Sequence, residues 1–280
     1  MYDGMGLMMD KTHKVVVVGH ARSGTSLLYG RLRASLPDAC CFFEPSNPTF
    51  LQQAQDATGH VVAKLLLPVP AVIASQLGNV FSTRLFLVRD PRDVLVSALL
   101  YVGGFEVMWR WEEKRLATAL DLLRRKEESP AAIGLLELFA ALREDFSLEH
   151  ITASLRLIDA FLAGWDARYP LGIVRYEDLL SGDIQELEQA LGFALAPQVA
   201  LGDDLRRVAR SCSSAAWRSW LTRSDVAILE PLLGETMRRF GYDATEWRLE
   251  ACPRIPSHHA SAYVRRLIHE RRALEGWATP

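Results

Sequence analysis

The segment KVVVVGHARSGTSLLYGRLRASL at residues 14–36 constrains the fold more than any other part of the chain. Its four consecutive valines are typical of a buried parallel strand, because helices cover both faces of such a strand. The leucines that follow Ser26 fit the start of a helix. We therefore predict a strand, a loop and then a helix. The exposed amides of that helix, with Arg22 beside them, favour a phosphate or sulfate in the loop.

The same loop limits the class of anion. The spacing of Gly19 and Gly24 matches the nucleotide-binding pattern GxxxxGK[ST], but Thr25 stands at the position of the lysine. An NTPase uses that lysine on the outer phosphates and the next hydroxyl on Mg²⁺. An ordinary ATPase or kinase is therefore disfavoured. Another phosphorylated donor, or a glycine-containing turn without a ligand, stays open.

The amino-acid composition limits the kinds of partner that we expect, namely nucleic acids, membranes and metals. The chain has 280 residues, long enough for one large α/β domain, with 32 Lys and Arg against 34 Asp and Glu. This balance gives no reason to expect nucleic-acid binding. No apolar stretch approaches about twenty residues, so we expect a cytoplasmic protein without a membrane segment. His258 and His259 lack zinc-ligand spacing, so we expect no metal. Four cysteines without paired spacing favour reduced thiols: Cys40, Cys41, Cys212 and Cys252.

Three further strands are predicted at residues 39–43, 61–67 and 84–88, each with a charged residue in it or after it. The carboxyl ends of parallel strands share the edge at which open α/β sheets bind ligands. Glu44 follows the first of these strands, Lys64 interrupts the second, and Arg89 follows the third. Asp90 and Pro91 then predict the start of a helix. Lys64 either extends to the sheet edge or reaches an anion near the first loop.

Two of these segments together resemble the donor-binding motifs of sulfotransferases that use 3′-phosphoadenosine 5′-phosphosulfate (PAPS). They are RSGT at residues 22–25, after a strand, and LFLVRDPRDVLVS at residues 85–97. The resemblance implies that the first motif holds the 5′-phosphosulfate and that an Arg and a Ser of the second bind the 3′-phosphate. It gives the first role to Arg22, Ser23, Gly24, Thr25 and Ser26, and the second to Arg89 and Ser97.

Later segments extend the resemblance to residues 14–242, and LTRSD at residues 221–225 predicts a capping-box-like helix start. GIVRYEDL at residues 172–179 is similar to the family's Tyr-Glu-Asp-Leu segment, which implies that Tyr176 lies by the adenine. Arg210 stands seven residues before Trp217, as in the family's RKGxxGDW loop, which implies a further 3′-phosphate contact. This chain lacks the glycines of that loop, so Arg210 is a weaker assignment than Arg89.

The resemblance implies a P-loop-like, three-layer α/β/α fold with a mainly parallel central sheet and a helical lid. We expect one domain over residues 11–247, with residues 101–150 as the lid or acceptor region and residues 248–280 as a C-terminal extension. Helical spacing of leucines at 116, 120 and 123 predicts a helix in the lid, and Gly103 and Gly104 suggest a hinge. Trp109 and Trp111 either line an acceptor pocket or pack the lid.

The resemblance also implies a reaction. In the cytosolic branch the general base is a His two residues after a Lys on the strand at 61–67, but Leu66 stands there. Glu44 resembles the acid that the Golgi carbohydrate and tyrosine-protein branches carry after their second strand. It is our candidate base, with His20 in reserve, while Arg22 and Lys64 neutralise developing charge. No metal is needed.

We therefore expect a small, bacterial-type sulfotransferase of secondary metabolism. It would transfer a sulfuryl group from PAPS, its co-substrate, to a hydroxyl or amine of a small metabolite or glycoside. Two alternatives stay open, namely a P-loop kinase-like enzyme and a PAPS- or PAP-binding module without activity. Whether the protein forms a homodimer also stays open.

Overall fold

The computed structural model describes residues 12–143, 147–197 and 213–277. Within these ranges the centre of the fold is a sheet of five parallel strands in the order β2-β3-β1-β4-β5. The strands are β1 (Lys14–Gly19), β2 (Cys40–Phe43), β3 (Val61–Leu66), β4 (Thr83–Val88) and β5 (Gly172–Arg175). The strands predicted at residues 39–43, 61–67 and 84–88 agree with β2, β3 and β4 to within one residue at each end. The strand order changes direction at β1, which is where open α/β sheets form a ligand crevice.

The helices flank this sheet and extend beyond it. Among the described residues, a π-helical turn (Val102–Val107) and a 3₁₀ turn (Met108–Arg110) follow α4, and a second 3₁₀ turn (Ser257–His259) precedes α12. The helices are α1 (Thr25–Ser35), α2 (Thr49–Asp56), α3 (Ala71–Val80), α4 (Pro91–Tyr101), α5 (Glu113–Glu128), α6 (Leu135–Leu142), α7 (Leu148–Ala163), α8 (Tyr176–Ser181), α9 (Gln185–Leu191), α10 (Trp217–Trp220), α11 (Arg223–Arg239) and α12 (Ser261–Leu274).

Alternation of side chains along β1 builds the two outer layers. Val15 and Val17 pack with α1, α8 and α9, whereas Val16 and Val18 pack with α2, α3 and α7. All four valines are fully buried, as expected for a central parallel strand covered on both faces. The three-layer α/β/α fold predicted from the sequence is therefore confirmed.

A third core joins α4, α5, α6, α10, α11 and α12. Gly104 is buried there, and a Cβ atom on it would lie 3.3 Å from the Cβ of Leu267 in α12. Gly104 allows two helical segments to pack closely, and the hinge expected at Gly103 and Gly104 stays a prediction. Trp109 is buried in this core and Trp111 lies partly buried against it, so Trp109 packs the helical core.

Two buried charged side chains brace this helical core. The Lys126 Nζ donates to the carbonyls of Ile133 at 2.6 Å and Trp220 at 2.7 Å. Burial lowers the pKa of Lys126 to about 8, although Asp225 acts in the opposite direction. Asp225 accepts a hydrogen bond from the Leu135 amide at 2.8 Å and closes the capping box at the start of α11. That capping box was predicted from the sequence.

Candidate active site

The register of the sheet brings the carboxyl ends of three strands together. Gly19, the last residue of β1, pairs with Leu66 of β3 and Leu87 of β4. The loops that follow these strands therefore meet at one edge, beside the N-terminus of α1. Most of the side chains singled out in the sequence lie at this edge.

The first loop leaves backbone amides open at the start of α1. Gly24 precedes α1 in a left-handed conformation with φ of 101°, no side chain caps the helix, and its first turn carries no acid. Among the described residues, the amides of Gly24, Thr25 and Ser26 have no backbone carbonyl as acceptor. The Ser23 hydroxyl donates to the His20 carbonyl at 2.7 Å, which closes the turn. An uncapped helix N-terminus of this kind favours phosphate or sulfate.

Close packing around the loop requires glycine at two positions. A Cβ atom on Gly19 would lie 2.7 Å from the Leu87 carbonyl oxygen. On Gly24 it would lie 2.3 Å from a ring carbon of Tyr176. The loop is therefore held between β4 and the ring of Tyr176, and any side chain at these positions would displace it.

Lys64, on β3, connects this strand to the first loop. It is 2% exposed, and its Nζ donates to the Ser26 hydroxyl at 2.9 Å and pairs with the Glu44 carboxylate. Glu44 has a φ of 50°, and its amide donates to the Lys64 carbonyl at 2.9 Å. Its side chain is 39% exposed, so the carboxylate is accessible from solvent. Lys64 therefore contacts the first loop through Ser26, and its contact with an anion there stays a prediction.

Arg22 joins the two sequence motifs. Its Nε donates to the Ser97 hydroxyl at 3.1 Å, and its guanidinium lies 4.1 Å from the centre of the Tyr101 ring. Burial lowers the pKa of Arg22, the positive charge of Arg89 adds to this effect, and Tyr263 and Tyr101 oppose it. Since the Ser97 oxygen accepts from Arg22, its own proton remains to be donated. We expected Ser97 to share an anion with Arg89, and in the structure its contact is with Arg22.

Arg89 lies at the end of β4 with its side chain 7% exposed. It donates to the Arg22 carbonyl at 3.4 Å and the Ser213 carbonyl at 3.3 Å, and it lies 3.9 Å from the Asp93 carboxylate. Its guanidinium is 4.4 Å from the centre of the Tyr176 ring. The buried Nε has no hydrogen-bond partner among the described residues. An unsatisfied buried donor is costly, so it fits a site that an anionic oxygen completes.

Asp93 positions the segment that approaches Arg89, a role that sequence reasoning missed. The carboxylate is fully buried and accepts hydrogen bonds from the amides of Ala215 at 2.6 Å and Trp217 at 3.0 Å. Burial raises the pKa of Asp93, and Arg89 acts against this. Arg210, expected to bind the 3′-phosphate, lies outside the described residues. The only sequence signal for Asp93 was its position in the second motif.

Glu177 is a second positioning residue that was missed. Its carboxylate accepts from the Asp90 amide at 3.1 Å and from the Tyr242 hydroxyl at 2.7 Å. Burial and then the negative charge of Glu177 raise the pKa of Tyr242. The neighbouring Tyr176 is 4% exposed. Glu177 therefore fixes α8 against the start of α4 and holds Tyr176 between Gly24 and Arg89. The YEDL segment was the signal that could have identified it.

His20 occupies the other side of the loop. Its Nδ1 is 2.9 Å from the Ala21 carbonyl, and burial lowers the pKa of the imidazole. With Ser23 and Arg89 it lines a cavity of about 110 Å³ whose other walls come mainly from apolar residues of α4, α6, α7 and α11. Glu44 and His20 are thus both near the first loop, but Glu44 alone is paired with Lys64.

Comparison with known proteins identifies the fold. No protein-family profile matches the chain, and no curated protein matches its sequence. Among solved structures, the chain is similar to mouse sulfotransferase SULT7A1 complexed with PAP, with a TM-score of 0.51 and 15% sequence identity. The match covers 81% of this chain and 85% of that chain. The protein therefore has the fold of that sulfotransferase, with a parallel sheet flanked by helices.

Every described helix is too short or too polar to cross a bilayer. Across the same residues, no three His, Cys, Asp or Glu side chains are grouped as metal ligands would be. Cys40, Cys41 and Cys252 are free thiols.

Proposed function

We propose that the protein is a sulfotransferase that moves a sulfuryl group from PAPS to a hydroxyl or amine of a small molecule. The observation that carries this proposal is a set of three cations around the first loop and the uncapped start of α1. Lys64 donates to Ser26 at the start of α1, and Arg89 donates to the carbonyl of Arg22 in the loop. The Arg22 guanidinium donates to Ser97 of the second motif. These cations come from the two motifs that resemble sulfotransferase donor loops and from the strand between them. The fold shared with a PAP-bound sulfotransferase supports the same conclusion.

The residues fit the donor at both of its anionic ends. The open amides of α1 and the cations Arg22 and Lys64 suit the 5′-phosphosulfate. The buried, unsatisfied Nε of Arg89 and the hydroxyl proton of Ser97 suit the 3′-phosphate. Tyr176 offers a ring beside both ends of the site, which supports its role next to adenine. Arg210 remains a proposed further contact.

When bound, PAPS supplies an activated sulfuryl group and a phosphate leaving group. Arg22, Lys64 and the α1 amides are placed to stabilise negative charge that grows on the leaving oxygen. Glu44 accepts the proton of the incoming hydroxyl or amine, and its pairing with Lys64 fixes the carboxylate close to the first loop. A fixed base next to an aligned donor converts transfer into an effectively unimolecular step.

Binding and transfer assays together test this function. Calorimetry with PAP and with ATP should show preferred binding of PAP. A PAPS assay with a panel of small phenols, alcohols, glycosides and amines should then show sulfated product. Preferred binding of Mg-ATP, with phosphate transfer, would instead favour the kinase-like alternative, in which Thr25 replaces the usual lysine. PAP binding without transfer to any acceptor would favour a binding module.

Glu44→Gln tests the general base. The amide keeps an oxygen for Lys64 but cannot take a proton at neutral pH, so turnover should fall by about 10²- to 10⁴-fold while PAP binding is retained. Glu128→Gln, an exposed substitution at the end of α5, is the matched control and should leave both unchanged. Wild-type turnover in Glu44→Gln would remove Glu44 from the role and direct attention to His20.

The remaining features belong to the same proposal. The nearly balanced charge of the chain fits a small-molecule acceptor. We include in the proposal a cytoplasmic location, a role in secondary metabolism and a single domain over residues 11–247. Neither a metal nor a nucleic-acid partner is required by the proposed reaction.

A further inference from the structure

The edge strand β2 ends on an aromatic ring that is exposed beside Glu44. Phe43 is 37% exposed, although its register partner on β3, Lys64, is only 2% exposed. A single exposed apolar side chain is common on protein surfaces and does not by itself define a site. Phe43 differs from such residues because its ring contacts the same ammonium group as the Glu44 carboxylate.

The backbone of Glu44 brings these two side chains together. Register partners point to the same face of a sheet, whereas consecutive residues of a strand point to opposite faces. A straight continuation of β2 would therefore direct Glu44 away from Phe43 and Lys64. A φ of 50° at Glu44 turns the chain instead, and the carboxylate pairs with the Lys64 Nζ. Left-handed backbone at a residue other than glycine is strained, and such strain is concentrated at functional sites.

The ring of Phe43 is held from the protein side. Its centre lies 4.2 Å from the Lys64 Nζ, and the Tyr29 ring packs edge-on against it at 5.4 Å. Tyr29 is itself 2% exposed and belongs to the core that includes α1. Since a hydrogen bond adds about 3 Å to the distance from ammonium to ring, the Glu44 carboxylate and the ring centre are at most about 7 Å apart. The Glu44 side chain is 39% exposed, so one small molecule can reach both groups.

We propose that Phe43 is a specificity-determining residue that selects acceptors with an aromatic ring next to the reacting hydroxyl or amine. This inference rests on the proposed function, with Glu44 as its base. A hydroxyl that is hydrogen-bonded to Glu44 can bring a ring one or two bonds away to about 4.5–7 Å from Phe43, the separation at which aromatic pairs interact. Because Phe43 is already held, little side-chain freedom is lost when the acceptor binds. The substrate class is therefore phenols, benzylic alcohols and the corresponding amines.

Two primary alcohols of similar size separate aromatic pairing from general apolar contact. Benzyl alcohol carries an aromatic ring on its CH₂OH group, and cyclohexylmethanol carries a saturated ring. With saturating PAPS, the wild-type protein should favour benzyl alcohol in kcat/KM by about three- to tenfold, the size expected for one aromatic pair. Phe43→Leu should remove this preference by raising the KM for benzyl alcohol. Phe43→Tyr keeps the ring and should retain the preference.

The ratio of the two kcat/KM values isolates the acceptor contact. Both alcohols meet the same protein, so a change in donor binding or in Lys64 cancels in the ratio. Ile173→Ala is the matched control, because Ile173 is 49% exposed on β5, at the opposite edge of the sheet and about 19 Å from β2 at the typical strand spacing. This variant should keep the wild-type ratio.

The outcomes separate this inference from the proposed function. An equal preference in the wild type and Phe43→Leu would overturn the role of Phe43. A wild-type protein that sulfates other acceptors but does not favour benzyl alcohol would overturn it as well, and would leave the proposed function intact. A wild-type protein that binds no PAP, or that transfers a sulfuryl group to no acceptor, would overturn the proposed function itself.

Discussion

Arg89→Ala is the sharpest test of where the 3′-phosphate binds. Among the described residues, the Arg89 guanidinium makes two long hydrogen bonds to carbonyls, at 3.4 Å and 3.3 Å, and its buried Nε has no partner. Its removal therefore costs the free protein few good hydrogen bonds. The phosphate complex, by contrast, should lose two charge-assisted bonds. At about 1.5 kcal/mol each, this loss is about 3 kcal/mol, or roughly a hundredfold in affinity.

The assay compares PAP with adenosine 5′-monophosphate, which lacks the 3′-phosphate. Calorimetry gives the ratio of the two dissociation constants for each variant. Because both ligands meet the same protein, any loss of folding stability cancels in the ratio. We expect the wild-type preference for PAP to fall about a hundredfold in Arg89→Ala.

Arg84→Ala provides the matched control on the same strand. Arg84 stands near the start of β4 and donates to the carbonyls of Gly78 at 2.9 Å and Pro170 at 3.1 Å, away from the loop. This substitution should lower stability and leave the ratio unchanged. A wild-type ratio in Arg89→Ala would refute the placement of the 3′-phosphate at Arg89.

Two further predictions concern stability. Gly24→Ala should lower the free energy of unfolding, measured by urea titration, by roughly 2–5 kcal/mol, because it adds left-handed strain and a clash with Tyr176. Gly59→Ala is the control and should change this free energy little, because no atom lies within 4 Å of the added Cβ. For Lys126, the unfolded side chain binds a proton up to about pH 10.5 but the folded one only to about pH 8, so unfolding should become less favourable as pH rises through this window. Between about pH 8 and pH 10.5, the free energy of unfolding of the wild type should rise by about 3 kcal/mol relative to that of Lys126→Met. The same difference at both pH values would contradict the lowered pKa of this buried lysine.

The sequence was sufficient for features that depend on neighbouring residues. The valine run of β1, the Asp90–Pro91 helix start and the capping box between Thr222 and Asp225 are all local signals, and each has the predicted structure. The ends of the strands could also be predicted, because the period and length of an apolar run determine them. The charged residues at one sheet edge follow from the parallel topology alone.

Contacts between distant segments could not be predicted from the sequence in this way. The contact of the Arg22 Nε with the Ser97 hydroxyl depends on the direction of a long side chain, while the expectation that Ser97 shares an anion with Arg89 stays a prediction. The roles of Asp93 and Glu177 depend on backbone amides of segments 122 and 87 residues away. The close packing at Gly104 carries no local signal either, since it depends on the approach of α12.

The spacing of the cations favours a donor with two separate anionic groups. Lys64 is on β3 and Arg89 follows β4, with β1 between them, so their strands are about 10 Å apart at the typical strand spacing. Lys64 contacts the α1 terminus through Ser26, whereas Arg89 lies beside the Tyr176 ring. A nucleoside triphosphate concentrates its charge at one end and leaves a cation near its nucleoside without a partner. PAPS carries charge at both its 5′ and 3′ positions, which matches cations on both sides of β1.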